Sequence, residues 1–257
     1  MKRKLSENWK RIEQRIHDAC RRARRDPSNV TLVAVTKYAS LDVIRAMVEL
    51  GFPDLGESRV QELSKRAAAV NEWLSRRMRD ANAPPREKPR WHMVGHLQRN
   101  KVKAVLPWID MIHSLDSLRL AEEIDAQSAK LGCVTPVLLE VNAASESSKF
   151  GVAVAAVAHL AEQLQSLEHI QLRGLMAMAP MTDDASHIRQ VFGRVRELFD
   201  EMVSERICGP QFKDLSLGMS NDFEYGIEFG ATFVRIGSAL FEGVEGIGLS
   251  TTAAQPG

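Results

Sequence analysis

The chain has few cysteines, few tyrosines, almost no net charge and no long apolar run. Its three cysteines, Cys20, Cys133 and Cys208, lie far apart and out of metal-ligand spacing. An odd count without a framework argues against a disulfide-stapled fold and suits a reducing cytoplasm. The 34 basic and 33 acidic residues leave a formal charge of +1, so no global field draws in nucleic acid or membrane. No apolar stretch approaches the length that spans a bilayer. The start, Met1-Lys-Arg-Lys-Leu-Ser-Glu7, is basic with no hydrophobic segment behind it and does not read as a secretory signal. The expected protein is cytoplasmic, with no nucleic-acid or membrane partner.

What is present is a regular alternation of short apolar runs and amphipathic stretches. Residues 6–25 read as a helix, with Trp9, Ile12, Ile16 and Ala19 at helical spacing. The cluster Arg21, Arg22, Arg24 and Arg25 near its end suits the helix dipole. A nucleic-acid patch is the alternative, but interleaved aromatics are missing. Thr31-Leu-Val-Ala-Val-Thr36 then runs without a charge and reads as a strand buried on both faces, with Lys37 at its carboxyl end. Further strands are predicted over 54–57, 91–95, 111–115, 136–142, 172–178, 214–217 and 232–236. Helices are predicted over 41–50, 60–79, 96–106, 117–131, 153–167 and 221–229, with a long one ending at 203. Ser40 and Ser117 are the expected N-caps of two of them, and Gly51 is an expected stop. The Pro-rich, charged stretch 81–90 reads as a surface loop.

Eight strand–helix units in strict alternation imply a parallel sheet with crossover helices. The predicted class is α/β: a single (β/α)8 TIM-type barrel with an extra N-terminal helix, over residues 1–247, and a disordered tail, 248–257. An open doubly wound sheet is the alternative. It usually carries a Gly-rich fingerprint after its first strand, and Val35-Thr-Lys-Tyr-Ala39 has none.

A barrel gathers its strand ends at one mouth, where such folds place their chemistry. Lys37 is there. A desolvated lysine attacks carbonyls, so one reading is a Schiff-base lysine. The other is a strand-end lysine reaching out to solvent. Leu217-Gly-Met-Ser220-Asn-Asp222 and Gly237-Ser238 follow the last two strands, where barrels often hold phosphate. Each piece alone reads as a helix cap or a turn. Beside a strand-end lysine they suggest a phosphorylated aldehyde, and pyridoxal 5′-phosphate (PLP) fits. Arg235 then matters, because an arginine only donates and should leave a facing ring nitrogen unprotonated. Its alternative is a salt bridge in the barrel mouth.

Several runs, in fixed order over nearly the whole chain, resemble the pyridoxal phosphate homeostasis proteins, single-domain relatives of the N-terminal barrel of alanine racemase. They are Val35-Thr-Lys37, Gly56-Glu57 with Val60-Gln-Glu62, Trp91-His-Met-Val-Gly95 with Leu97-Gln-Arg-Asn-Lys101, Gly174-Leu-Met-Ala-Met178, Leu217-Gly-Met-Ser220-Asn-Asp222 and Val234-Arg235-Ile-Gly237-Ser238-Ala-Leu-Phe241. The resemblance implies that Lys37 carries PLP as an internal aldimine. It implies that Arg235 faces the ring nitrogen and that Ser220, Gly237 and Ser238 hold the phosphate. The family's Gly-Glu-Asn-Tyr reads Gly56-Glu57-Ser58-Arg59 here, so Ser58 stands where an asparagine lies near the cofactor. His96 stands where the family has a proline, with capping of the next helix as its expected role.

The expected function is to bind PLP and maintain its supply and delivery, with little or no catalysis and no catalytic residues. A monomer in transient contact with PLP-dependent apo-enzymes is expected. A racemase needs a second acid–base group on the far face of the cofactor. The two tyrosines, Tyr38 and Tyr225, are poor candidates: Tyr38 should point away from its neighbour Lys37, and Tyr225 lies on a helix. A slow amino-acid racemase or other PLP-dependent Schiff-base enzyme is the rival, followed by a cofactor-free barrel aldolase and an RNA- or partner-binding module.

Overall fold

The computed structural model describes residues 1–79, 86–144 and 150–248. The apolar runs become strands β1 (Thr31–Val35), β2 (Asp54–Glu57), β3 (Arg90–Met93), β4 (Met111–Leu115), β5 (Thr135–Asn142), the two-residue β6 (Val152–Ala153), β7 (Ile170–Ala177), β8 (Asp214–Leu217) and β9 (Phe233–Ile236). All but β6 join one parallel ring in the order β1, β2, β3, β4, β5, β7, β8, β9, and β9 closes on β1. The β6 segment adds beside the end of β5. The chain is a closed eight-stranded parallel barrel, a TIM barrel.

Strand residues alternate between two environments. Ala34, Leu55, Trp91, Leu139, Leu175 and Ile236 face the surrounding helices in one continuous apolar core. Met111, Leu138 and Met176, with Met178 and Phe233, form a separate cluster inside the barrel. Both faces are buried, but the inner one also takes polar residues, among them Asp54, His92, His113, Glu140, Ser216 and Arg235.

The helices are α1 (Lys2–Arg22), α2 (Leu41–Leu50), α3 (Val60–Met78), α4 (Val102–Val105), α5 (Leu118–Leu131), α6 (Val154–Leu164), α7 (Ala185–Ser204), α8 (Phe223–Glu228) and α9 (Ser238–Phe241). The helix after the last strand, α9, is a single turn, and α1 packs over α8, α9 and α2 to complete the outer layer. Asn8, almost fully buried on α1, donates from Nδ2 to Leu240 O and Glu242 O, both at 2.9 Å. Arg25 donates to Ile227 O in the last turn of α8 and to Ala231 O beyond it, each at 2.8 Å. At least this member of the basic cluster satisfies helix-end carbonyls.

Local signals hold at α2, where Ser40 Oγ accepts from Val43 N and Gly51 ends the helix in the left-handed region. They fail at two places. Residues 96–106 do not form one helix; a single α-turn lies between two 3-10 turns, the second containing Pro107, which lacks the N–H needed to continue an α-helix. Ser117 occupies the N-cap position of α5, but its hydroxyl donates to Asp116 Oδ1 at 3.1 Å instead of capping. Of the expected tail, 248–257, Gly248 is described, and its N–H donates to Tyr38 O at 2.9 Å. The rest of that tail, 249–257, and residues 81–85 of the expected surface loop lie outside the described residues.

Gly174 is required by the barrel wall. Its φ of +155° is a region that is essentially glycine-only, and a Cβ there would meet the backbone oxygen of Asp214 on β8 at 1.7 Å. The β5–β7 register shifts beside it, between Val137 and Leu138. Gly174→Ala should therefore force two strands apart and destabilise the protein by about 4 kcal/mol, at the upper end for single substitutions. Urea unfolding at constant slope reads the loss; an unchanged midpoint would contradict this packing.

Candidate functional site

Lys37 lies two residues beyond β1, in a turn, and is exposed. Of the two sequence readings, a desolvated lysine and one reaching out to solvent, the exposure matches the second. The turn itself is held from three sides. Thr36 N–H donates to Gly56 O at 2.8 Å, and Thr36 Oγ1 donates to Glu57 Oε2 at 3.3 Å. Arg66 on α3 donates to Thr36 O at 2.6 Å and pairs with Glu57, whose carboxylate is fully buried. Beyond the turn the late chain crosses back: Ser40 N–H donates to Gly246 O at 3.1 Å, and Ala39 bridges Ile247. A flexible amine thus projects from a fixed base. Tyr38 does not point away from Lys37 as expected; its ring centroid is 4.9 Å from Lys37 Nζ, because the strand alternation ends before this turn.

Arg235 is 4% exposed and projects into the barrel from β9, opposite Val33 of β1. Its Nη1 donates to Ser216 O at 2.8 Å and to Ser216 Oγ; its Nη2 donates to Ala177 O at 3.0 Å. Burial pushes its pKa down to about 10, opposed by Asp222 and Glu140, so it remains a cation at neutral pH. A guanidinium has five N–H donors, and these three acceptors leave donor capacity for another.

Behind Arg235 the polar contacts continue through the barrel. Ser216 Oγ is 2.9 Å from His113 Nδ1, and His113 Nε2 is 3.0 Å from His92 Nδ1. His92 Nε2 is 2.9 Å from Asp54 Oδ1, and Arg90 grips both Asp54 oxygens at 2.7 Å. Glu140 of β5 is also buried. Burial raises its pKa from 4.5 to about 7, with Arg235 opposing and Asp116 adding to the rise.

Gly237 and Ser238 follow β9 and lie against β1. A Cβ built on Gly237 would approach Val35 O no closer than 3.6 Å, so internal packing does not demand glycine there. Ser220 does not cap α8, which takes Asp222 as its N-cap. Its Oγ instead accepts from Gly237 N at 3.2 Å and Ala239 N at 3.3 Å. Ser220, Gly237 and Ser238 are thus brought together at the β9–β1 seam, within a few residues of Lys37 and Arg235 along neighbouring strands. Ser58 stands apart, at the end of β2, where its backbone closely abuts Gly95. His96 caps no helix: its Nδ1 is 3.2 Å from Asp116 Oδ2 and its ring stacks on Phe150 at 4.0 Å. A concavity of about 700 Å3 along α1, lined by Lys10, Glu13, His17, Asp18, Arg21 and Arg25 among others, contains none of these groups.

Sequence reasoning passed over Arg66, His92, His113 and Glu140 as site residues. A signal was available: each of the last three interrupts a predicted buried strand, and a buried polar residue is more informative than a buried apolar one.

The family model described as alanine racemase, N-terminal domain, matches residues 3–244. The chain belongs to that family. It is 37% identical over 235 residues to the pyridoxal phosphate homeostasis protein of Aquifex aeolicus, covering 91% of this chain and 96% of that one. Among solved structures, this family member resembles a protein of Bifidobacterium adolescentis with a TM-score of 0.84, at 33% identity, covering 93% and 95% of the two chains. It also resembles PipY of Synechococcus elongatus, solved with PLP bound, with a TM-score of 0.73 at 30% identity, covering 90% and 99%.

Two expectations follow from the electrostatics. Arg66→Ala strips the fully buried Glu57 of its cation and should cost about 3 kcal/mol, the low end for breaking a buried pair because Glu57 keeps other donors. A smaller drop in urea midpoint than a surface ion pair gives would show that the pair does not hold the turn. Glu140 titrates near 4.5 unfolded and about 7 folded, so across that window the native state binds more protons and stability falls as pH rises. At roughly 1.4 kcal/mol per pH unit the loss is about 3 kcal/mol. Glu140→Gln should therefore gain on the parent by about that much from pH 4 to pH 8. Parallel stability curves would place the carboxyl in solvent.

Proposed function

We propose that the chain binds PLP, holds it covalently through Nζ of Lys37, and serves its homeostasis and delivery to apo-enzymes, with little or no catalysis. The observation that carries this reading is the seam between β9 and β1. It brings an accessible amine on a braced turn beside a glycine–serine turn and a buried guanidinium with donor capacity left. Pyridoxal phosphate homeostasis proteins as relatives, and PipY with PLP bound, support it.

When bound, PLP supplies an aldehyde that condenses with amines and a pyridine ring that withdraws electrons. The chain's residues fit the two ends and the middle of that molecule. Lys37 meets the aldehyde from solvent-accessible ground. Ser220 and Ser238 would offer their hydroxyls to the phosphate, beside the Gly237 N–H that Ser220 Oγ already accepts, and Gly237 presents no side chain to block its approach. Arg235 donates toward the ring nitrogen; being a cation, it disfavours a proton there. Ser58 is the remaining proposed contact, from the β2 side.

A second reading, a slow amino-acid racemase, draws on two groups in the structure: Tyr38 beside Lys37, and Glu140 with a pKa of about 7 facing Arg235. Exchange of an amino acid's α-hydrogen in deuterated solvent separates the two. The carrier reading expects exchange far below the roughly 1–1000 per second of dedicated enzymes.

The direct test is borohydride reduction of the protein loaded with PLP, followed by peptide mass analysis. The label is expected on Lys37, and Lys37→Ala should fold normally yet take no label. Label on Lys101, Lys103 or Lys149 instead would overturn the assignment.

A further inference from the structure

Six side chains from five strands make one unbroken polar chain through the barrel: Arg90, Asp54, His92, His113, Ser216 and Arg235. Its hydrogens can be assigned link by link. Hydrogen bonds from His92 and Arg90 outweigh the burial that would raise Asp54 and keep it ionised. A carboxylate only accepts, so His92 Nε2 carries the hydrogen in that contact. At the other end Arg235 only donates, so Ser216 Oγ is its acceptor. His113 between them is fully buried; burial, with the Arg235 cation alongside, keeps its ring neutral with one bare nitrogen.

Two wirings remain, and they differ in satisfaction. With one hydrogen on His92, its Nδ1 accepts from His113 Nε2–H, and the bare Nδ1 of His113 accepts the Ser216 hydroxyl hydrogen. Every link then has one donor and one acceptor, all running from Arg235 toward Asp54. With a second proton on His92, both links reverse. Ser216 Oγ then receives two donors, and its own hydrogen loses the acceptor it had. Buried polar groups are stable when each is paired, so the first wiring is the consistent one.

We propose that His113 is a positioning residue for Arg235. By accepting the Ser216 hydroxyl hydrogen, it turns that hydroxyl's lone pair to the guanidinium and fixes Arg235 as a hydrogen-bond donor in the barrel mouth. Backbone carbonyls of Ser216 and Ala177 hold the guanidinium in place. The Ser216 hydroxyl adds the contact that depends on His113. The consequence for PLP rests on the role proposed for Arg235 above; the wiring itself does not.

The wiring is tested on the protein without PLP, by nitrogen-15 NMR of the histidine rings, with assignments from His92→Asn and His113→Asn. Both rings are expected in the Nε2–H form. An Nδ1–H form of His113, or a doubly protonated His92, overturns the proposal. The positioning role is tested by PLP affinity in a double-variant cycle. Ser216→Ala and His113→Phe should each weaken binding about tenfold, the size of one lost hydrogen bond. Because one acts through the other, the double variant should bind no more weakly than either, while Ser216→Thr keeps the affinity. Losses that multiply would show two independent structural effects and overturn it. If His113→Phe does not fold, the tautomer of the parent protein still decides. A protein that binds no PLP would sink the functional reading and leave the NMR result standing.

Discussion

Arg235 is a permanent charge held almost entirely out of water inside a parallel barrel. Removing such a charge from water costs several kcal/mol, and only good geometry with full hydrogen bonding offsets it. Much of the barrel interior is explained by that demand. Two carbonyls, from β7 and β8, accept from the guanidinium, and Ser216 Oγ accepts alongside them. Glu140 and Asp222 supply the opposite charge. Ser216 in turn needs a partner, and the polar chain through His113, His92 and Asp54 ends only at Arg90, whose side chain reaches the surface. The opposite pulls on one pair are visible in both members: Arg235 is pushed down to about 10 and Glu140 up to about 7, each by burial, and each holds the other back.

The fold was legible because it depends on patterns repeated eight times. Strands such as Thr31–Val35 declared themselves as apolar runs, the short Asp54–Glu57 by its place in the alternation, and a misplaced boundary in one unit does not change the count. The break in 96–106 shows the limit of that reading: the stretch has helical spacing, yet Pro107 and two 3-10 turns cut it to one α-turn without disturbing the barrel. Gly174 shows another. Its place in the motif Gly174-Leu-Met-Ala-Met178 was noticed, but the reason, contact with the backbone of β8, is a tertiary fact.

The candidate site was legible only in part, and for a physical reason. Residues at or near a strand's end can be listed from sequence, and Lys37, Ser220, Arg235, Gly237 and Ser238 were candidates on that footing. The groups that hold them come from elsewhere in the chain. Arg66 reaches the Lys37 turn from the middle of α3, and residues 246–248 return to it from the far end. His113 and Ser216 are 103 positions apart and meet only because β4 and β8 face each other across the interior. Hydrophobic periodicity reports which face of an element is buried, not which distant element faces it. Tyr38 illustrates the same limit locally: alternation predicts opposite directions for neighbours on a strand, and the strand had already ended.

The division between what is rigid and what is free at the seam bears on function. Lys37 is the exposed member, on a long side chain, while its base is clamped by Thr36, Arg66 and the late chain. Arg235 is the reverse: buried, multiply anchored and always a donor. A site that must pass a bound aldehyde to another protein needs its linking amine within reach of solvent, because transfer begins by exchanging that bond. It gains nothing from a protonated ring nitrogen, which would draw electrons from bonds next to the amine and invite side reactions. A guanidinium facing that nitrogen, as proposed for Arg235, would keep the proton away. On the proposed reading, holding the cofactor while leaving it chemically quiet, and keeping its covalent link accessible, would be two results of one arrangement: an exposed amine on a braced turn and a buried, anchored cation.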